Sequence, residues 1–312
     1  MFGVFLLFAM GAEEGLSLLR SGDWGLEALL SVPAPALSET RRNGNAYLTV
    51  RYESIEHEFT NEAGLPQLPV FRRIIEVPAG ANVQVSIDVQ AEGSMSVERE
   101  VIPLQPPVPK SGPPPAFVMD KKFYSTDEFW PSEHIKVERV GNMHGHELWL
   151  LEVMPVSYNP VRGELRYITS GTLKIIFTGG AGFREDKTPM GGLVSKIAWN
   201  RPSVKAVPPL DIGYLIIVPD NMYNTVLPLA NWKREKGYRV KVAKTSETGT
   251  STTSIKNYIQ NLYNNWEYDL QFVLLIGDHG NGVPGWPGNY ANTDLYYACL
   301  ENMGDPDYVP DV

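Results

Sequence analysis

From about Asn45 to Thr178, apolar and polar residues alternate in short runs: YLTVRYESIEHEF, FRRIIEVPAG, ANVQVSIDVQAE, ELWLLEVMPVSY, LRYITSG and TLKIIFTG. A period of two predicts strands with one buried face, and Gly, Pro or Asn closes each run with turn chemistry. Many short strands without an intervening helical period predict an all-β sandwich over residues 21–180. Pro103–Phe117 interrupts it with seven prolines, which keep that stretch extended and out of any central strand. Gly179–Val207 is glycine-rich and then basic, and reads as a linker, placed at residues 181–208.

Past Pro209 the period changes. GYLIIVPD is almost wholly apolar, as a strand buried on both faces must be. MYNTVLPLANWKREKG puts Val226, Leu229, Ala230 and, less regularly, Trp232 on one helical face, with Pro228 near the first turn and Gly237 as the C-cap. YRVKVAK, TSIKNYIQNLYNNW and QFVLLIGD continue as strand, helix and buried strand, which predicts a right-handed parallel α/β unit over residues 209–312. Three such strands leave a sheet short of partners, so the chain reads as part of a longer protein.

The 312 residues allow two domains, and 43% hydrophobic against 20% charged residues excludes global disorder. A net charge of −9, without clustered Lys or Arg, argues against nucleic acid as a partner. The single cysteine, Cys299, excludes an intrachain disulfide and any multi-cysteine metal site. MFGVFLLFAMGA has the length and apolarity of a signal-peptide core but no basic residues before it. Residues 1–20 are therefore open to two readings, a secretory leader or a buried first element. No interior run of about 18 apolar residues predicts a membrane span.

Candidate chemistry is sparse. Cys299, in YYACLEN, has no local histidine to stabilise a thiolate and reads as a buried hydrophobe. His144 and His146, in MHGHE, lie two apart, as on one strand face with Glu147 pointing away; two zinc ligands would need a third, and a polar edge or a hairpin turn at Gly145 is the plainer reading. IGDHGNG lacks a phosphate-loop spacing. Asp278 ends the third buried strand, and Asp305, Asp307 and Asp311 alternate in ENMGDPDYVPDV. Such oxygens suit Ca²⁺, although an Asp/Pro turn needs no metal.

GYLIIVPD, PLANWKREKGYRVKV, IKNYIQNLYNNW, FVLLIGDHG, VPGWPGNYANTDLYYA and DPDYVPDV together resemble the catalytic domain of the gingipain family of secreted cysteine endopeptidases. LPVFRRIIEVPAGANVQVSI and LLEVMPVSYNPVRGELRYITSGTLKIIFTG resemble that family's propeptide, so the resemblance covers roughly residues 45–312. It implies a secreted or cell-surface zymogen: an all-β propeptide, an activation linker, then a caspase-like α/β domain acting on proteins or peptides. The family's catalytic His and Cys fall beyond this chain, so no catalytic residue is expected here; His279 and Cys299 precede the dyad. The resemblance implies structural Ca²⁺ on Asp278, Asp307, Asp311, the Val309 carbonyl and Glu301. It also implies an intramolecular propeptide–peptidase contact, with Lys110 on the proline-rich loop as the inhibitory residue and Lys121 and Lys122 as competitors. Maturation is expected within Arg184–Lys205, after Lys196 or Lys205 in preference to Arg201, which Pro202 follows. A non-catalytic secreted adhesin-type module with a degenerate α/β domain is the alternative.

Overall fold

Period-two alternation becomes antiparallel sheet in the first part of the chain. The computed structural model describes residues 15–109, 113, 115–186, 188–202, 211–278, 281–282 and 294–300. Its strands there are β1 (Gly15–Gly22), β2 (Gly25–Ser31), β3 (Ala36–Arg42), β4 (Asn45–Arg51), β5 (Glu58–Phe59), β6 (Pro69–Val77), β7 (Asn82–Ser96), β8 (Ile135–Met143), β9 (His146–Val153), β10 (Val156–Asn159) and β11 (Glu164–Thr178). One sheet runs β1-β2-β11-β10, with β7 along the other side of β11; a second runs β5-β6-β9-β8, and β3 pairs with β4. Leu26, Leu30, Leu68, Ile75, Leu151, Leu165, Leu173 and Ile175 are fully buried, the alternate residues that the pattern marks as inward.

Turn chemistry fixes registers. Asn43–Gly44 joins β3 to β4 with φ of 49° and 81°, and His144–Gly145 joins β8 to β9 with 51° and 81°. Two central residues at positive φ define the type I′ turn, whose twist matches that of the strands. The hairpin β1–β2 lies upstream of the alternating pattern recognised in the sequence. Its first residues, Gly15–Arg20, fall within the 1–20 stretch open to a leader reading. The proline-rich segment forms no strand where it is described. Its two sides are tied by Gln105, whose Nε2 donates to the Val118 carbonyl at 2.9 Å while its Oε1 accepts from Val118 N at 2.9 Å.

The later part is the parallel unit expected. β12 (Ile212–Val218) lies between β13 (Arg239–Lys244) and β14 (Asp269–Leu275), parallel to both. α1 (Pro189–Ile197) precedes it, α2 (Tyr223–Glu235) connects β12 to β13, and α3 (Thr245–Thr248) with α4 (Thr252–Asn265) connects β13 to β14. Along β12 the side chains alternate between two cores. Ile216 and Val218 pack with Val226 and Ala230 of α2. Leu215 and Ile217 pack with Ile255, Ile259 and Leu262 of α4, with Tyr297 of α5 (Leu295–Ala298) and with Leu300 just after it. That double burial is why GYLIIV carries no polar alternation.

Two details of α2 differ from expectation. Trp232 is 49% exposed, with the Lys233 and Lys236 ammonium groups over its ring at 5.1 and 5.3 Å. Those cations cover an indole that the core does not take up. Pro228 stands inside the helix, beyond its first turn, because a 3₁₀ turn at Asp220–Met222 precedes Tyr223 and moves the helix start upstream of the proline. Gly237 ends the helix as expected, at φ 99°, with its N–H donating to the Arg234 carbonyl.

The chain divides into two compact units. The first holds Met1–Ile75, Gly80–Glu138 and Leu150–Gly180; the second holds Glu76–Ala79, Arg139–Trp149 and Ala181–Val312. The second unit thus joins the α/β part to the tip of the β8–β9 hairpin and the end of β6.

Candidate functional site

The stretch expected to be a plain linker carries α1. Thr188 caps it, its hydroxyl accepting from Gly191 N at 3.2 Å, and Pro189 opens it, where a missing N–H does no harm. Met190, Val194 and Ala198 are buried, while Lys196 stands exposed in the last turn. A nine-residue helix is marginal alone, so packing and side-chain anchors must hold it.

Those anchors converge on His146. Its Nδ1 lies 2.9 Å from Glu76 Oε1 and its Nε2 lies 3.2 Å from Asp186 Oδ2, and all three side chains are no more than 3% exposed. Neutral imidazole has one N–H, and a carboxylate only accepts; carboxylates at both nitrogens require the imidazolium. Burial by itself lowers the His146 pKa, but the hydrogen bonds to Asp186 and Glu76 outweigh it and push it up to about 9. Burial likewise raises the Asp186 pKa, and the bonds from His146 and Thr188 overcome that and hold it well below the usual carboxylate range.

The cluster extends through the second unit. Arg201 Nε pairs with Glu76 Oε2 at 3.1 Å, and its Nη2 donates to the Arg184 carbonyl at 3.0 Å. The Asn200 amide accepts from Glu76 N and donates to the Glu76 carbonyl, both at 2.8 Å. His144 Nε2 lies 3.2 Å from Asp269 at the start of β14. Gln271, fully buried, donates to Asp269 at 2.9 Å and accepts from Met190 N at 3.3 Å, tying the first turn of α1 to the same strand. Burial raises the Asp269 pKa, but the bond from His144 takes it below its ordinary value.

Gly191 shows how closely this is packed. A Cβ there would lie 2.4 Å from the Asp186 carbonyl oxygen and 2.5 Å from its carboxyl carbon. Glycine-to-alanine inside a helix normally stabilises by about 1 kcal/mol. Here the sign should reverse: Gly191→Ala should destabilise the second unit by about 1–3 kcal/mol, because Asp186 must move away from His146. Urea midpoints check it, and a raised midpoint would contradict this packing.

The hairpin turn at Gly145 is present, but the two histidines do not share a strand face. His144 occupies the left-handed turn position and meets Asp269, whereas His146 begins β9 and meets Glu76 and Asp186. Glu147 pairs with Arg139 at 2.6 Å. Among the described residues no group of three His, Cys, Asp or Glu is arranged to hold a metal ion. Sequence reading missed Glu76, Asp186, Asn200 and Gln271. Buried polar residues drawn from distant stretches have no local pattern, and GFREDKTPMGG read only as part of a linker.

Cys299 is 4% exposed, and its carbonyl accepts from the Lys256 ammonium, as does that of Tyr296. This is the packing of a small hydrophobe. Lys110, Lys205, His279, Glu301, Asp305, Asp307, Val309 and Asp311 lie outside the described residues, as does the side chain of Asp278. The Asp278 backbone pairs with Asn281.

An all-β region and a parallel α/β layer, with a helix-bearing segment preceding the latter, define a two-part chain. Residues 48–198 match the Propeptide_C25 family model, and residues 207–312 match that of peptidase family C25. The chain belongs to the gingipain family, as a propeptide followed by the N-terminal region of the catalytic domain. Lys-gingipain of Porphyromonas gingivalis is 27% identical over 309 residues, covering 92% of this chain and 18% of that protein. Gingipain R1 of the same organism is 23% identical over 233 residues, covering 70% of this chain and 23% of that protein. The chain therefore spans about a fifth of the length of these curated relatives. A structure addressing the zymogenic latency of gingipain K from Porphyromonas gingivalis aligns at 25% identity and TM-score 0.48, over 55% of this chain and 97% of that one. A complex of the RgpB pro- and mature domains from that organism aligns at 17% identity and TM-score 0.48, over 59% of this chain and 97% of that one.

Proposed function

We propose that this chain is the N-terminal part of a secreted or cell-surface cysteine endopeptidase zymogen, in which the β-rich propeptide restrains the peptidase until the linker is cut. The observation that carries this is the tandem match of propeptide and peptidase models across residues 48–198 and 207–312. The nucleophilic Cys and its His partner belong to sequence outside this chain, so the chain alone does not hydrolyse peptides. That reading fits Cys299, which is buried and packed as a small hydrophobe. Among the described residues no helix is long and apolar enough to cross a membrane.

The proline-rich loop carrying Lys110 is the segment assigned to the cleft. The reciprocal Gln105–Val118 bonds tie its two described ends, and its prolines reduce the entropy lost on docking. The test uses the full-length zymogen and its mature enzyme. Isolated propeptide should inhibit the mature enzyme, and N-terminal sequencing should place maturation between Arg184 and Lys205. Unchanged activity with saturating propeptide removes the inhibitory reading.

The acidic set Asp278, Glu301, Asp307, Asp311 and the Val309 carbonyl is proposed to hold one structural Ca²⁺. An ion bound only to the folded state stabilises it by about 2.7 kcal/mol at a hundredfold excess over Kd. The zymogen should therefore unfold at a lower temperature in chelator than in calcium, and Asp307→Ala should abolish the difference. Equal wild-type midpoints would leave only an acidic turn.

A further inference from the structure

The segment that ends the propeptide match and leads to the peptidase match is closed at its neck. Its entry, Arg184 and Asp186, and its exit, Asn200 and Arg201, are bonded to each other and to one pair of side chains. Arg201 donates to the Arg184 carbonyl; Asp186 meets His146; Asn200 and Arg201 both hold Glu76; and His146 meets Glu76. Arg201 also stacks over Phe183 at 4.3 Å. Between entry and exit lies the short helix α1, with exposed Lys196 in its last turn.

An endopeptidase takes its substrate as an extended strand over several residues, paired through the main chain. A bond in α1 is cleavable only after the helix unwinds. A helix of this length does not hold itself, so the clasp sets how often that happens.

We propose that His146 is a protonation-dependent latch on the maturation segment: as imidazolium it clasps Glu76 to Asp186 and shields the bonds of α1, and on losing its proton it releases them. This rests on the zymogen reading above. A neutral ring would keep one carboxylate and turn a lone pair toward the other, so one side of the clasp must open. The groups facing the ring support the assignment. Glu76 comes from the end of β6 and Asp186 from the segment itself. Arg201 reaches the ring only through Glu76. Arg184 acts on Asp186, and neighbouring His144 is engaged with Asp269 of β14. The two carboxylates nearest the ring keep the proton on it, and its pKa of about 9 puts release on the alkaline side of neutrality.

The experiment is limited proteolysis of the zymogen, with its own nucleophile disabled, by an added lysine-specific endoprotease. Cleavage after Lys196 is measured by mass spectrometry against cleavage after exposed Lys236, which cancels the protease's own pH profile. Between pH 6.5 and 9.5 the ratio should rise at least tenfold in the wild type. In His146→Gln it should be high and flat. A wild-type ratio that stays flat overturns the latch. If His146→Gln does not fold, hydrogen-exchange protection of the α1 amides in the wild type, corrected for intrinsic rates, must fall over the same interval relative to β12. Unchanged protection also overturns it. The zymogen reading is tested separately: a mature N-terminus outside 184–205 would remove the maturation role while leaving the pH-dependent ratio intact.

Discussion

His146→Leu should lower the stability of the second unit by about 3–5 kcal/mol, the range for removing one partner of a buried ion cluster. Leucine fills the ring's space but leaves Glu76 and Asp186 facing it without a cation, each no more than 3% exposed. Replacing His146, Glu76 and Asp186 together by apolar residues should lose less than the single change, since both buried carboxylates leave with the imidazolium and only Arg201, 14% exposed, loses an ion-pair partner. The pH dependence follows from the sign of each shift. The His146 pKa rises on folding from an ordinary 6.5 to about 9, so its contribution is complete below about pH 6.5 and disappears as pH climbs through 9. The Asp186 pKa falls on folding, so its contribution is present above the ordinary carboxylate value and disappears as pH drops toward its folded value. The wild type should lose stability on both sides of a mildly acid optimum, and the variant should show a flatter alkaline limb. Urea midpoints from pH 4 to 10, followed by exchange of β12 amides, decide it. An alkaline limb unchanged by the substitution would show that His146 is not the titrating group.

The parallel unit was readable in the sequence because its determinants are local. Uninterrupted apolar runs mark β12 and β14, the i, i+4 pair Val226 and Ala230 marks α2, and Gly237 marks its end. The Asn43–Gly44 turn is local too, but the alternating pattern was read only from Asn45 and the turn passed unnoticed. Most of what escaped was arranged across distance. Glu76, His146, Asp186 and Asn200 lie up to 124 residues apart, and each taken singly looks like an ordinary surface residue. α1 escaped because its two glycines lower helix propensity, while the reason for one of them, the approach of Asp186, is tertiary. Trp232 escaped in the opposite sense: an indole on a helical period reads as core, but Lys233 and Lys236 cover it at the surface. The first hairpin was overlooked because only Glu13 and Glu14 separate GLSLLRSGDWGLEALLS from the apolar start, too short a break to set strand apart from leader.

That hairpin carries the other large expected effect, in the first unit. Gly25 opens β2 at φ 135°, a region that side chains of L-residues rarely enter. It pairs with Gly22 across the turn and with Ile176 of β11. A Cβ at this position would lie 1.9 Å from the Ile175 carbonyl oxygen, well inside contact distance, and that atom belongs to the backbone. No side-chain rotation relieves the clash; β2 must separate from β11 or change its backbone conformation. Either response exposes Leu26, Ala28 and Leu30, all fully buried in that sheet. Strain and overpacking together put Gly25→Ala at about 3–5 kcal/mol of destabilisation. The control is Gly44→Ala, in the Asn43–Gly44 turn, where φ is also positive but nothing lies within 4 Å of the added carbon. It should lose only the conformational penalty, about 1–2 kcal/mol. Hydrogen exchange of the β7 and β11 amides, measured against denaturant for both variants, separates the two contributions. Equal losses would mean that the carbonyl contact adds nothing, and that β1 and β2 are not seated in this register against β11.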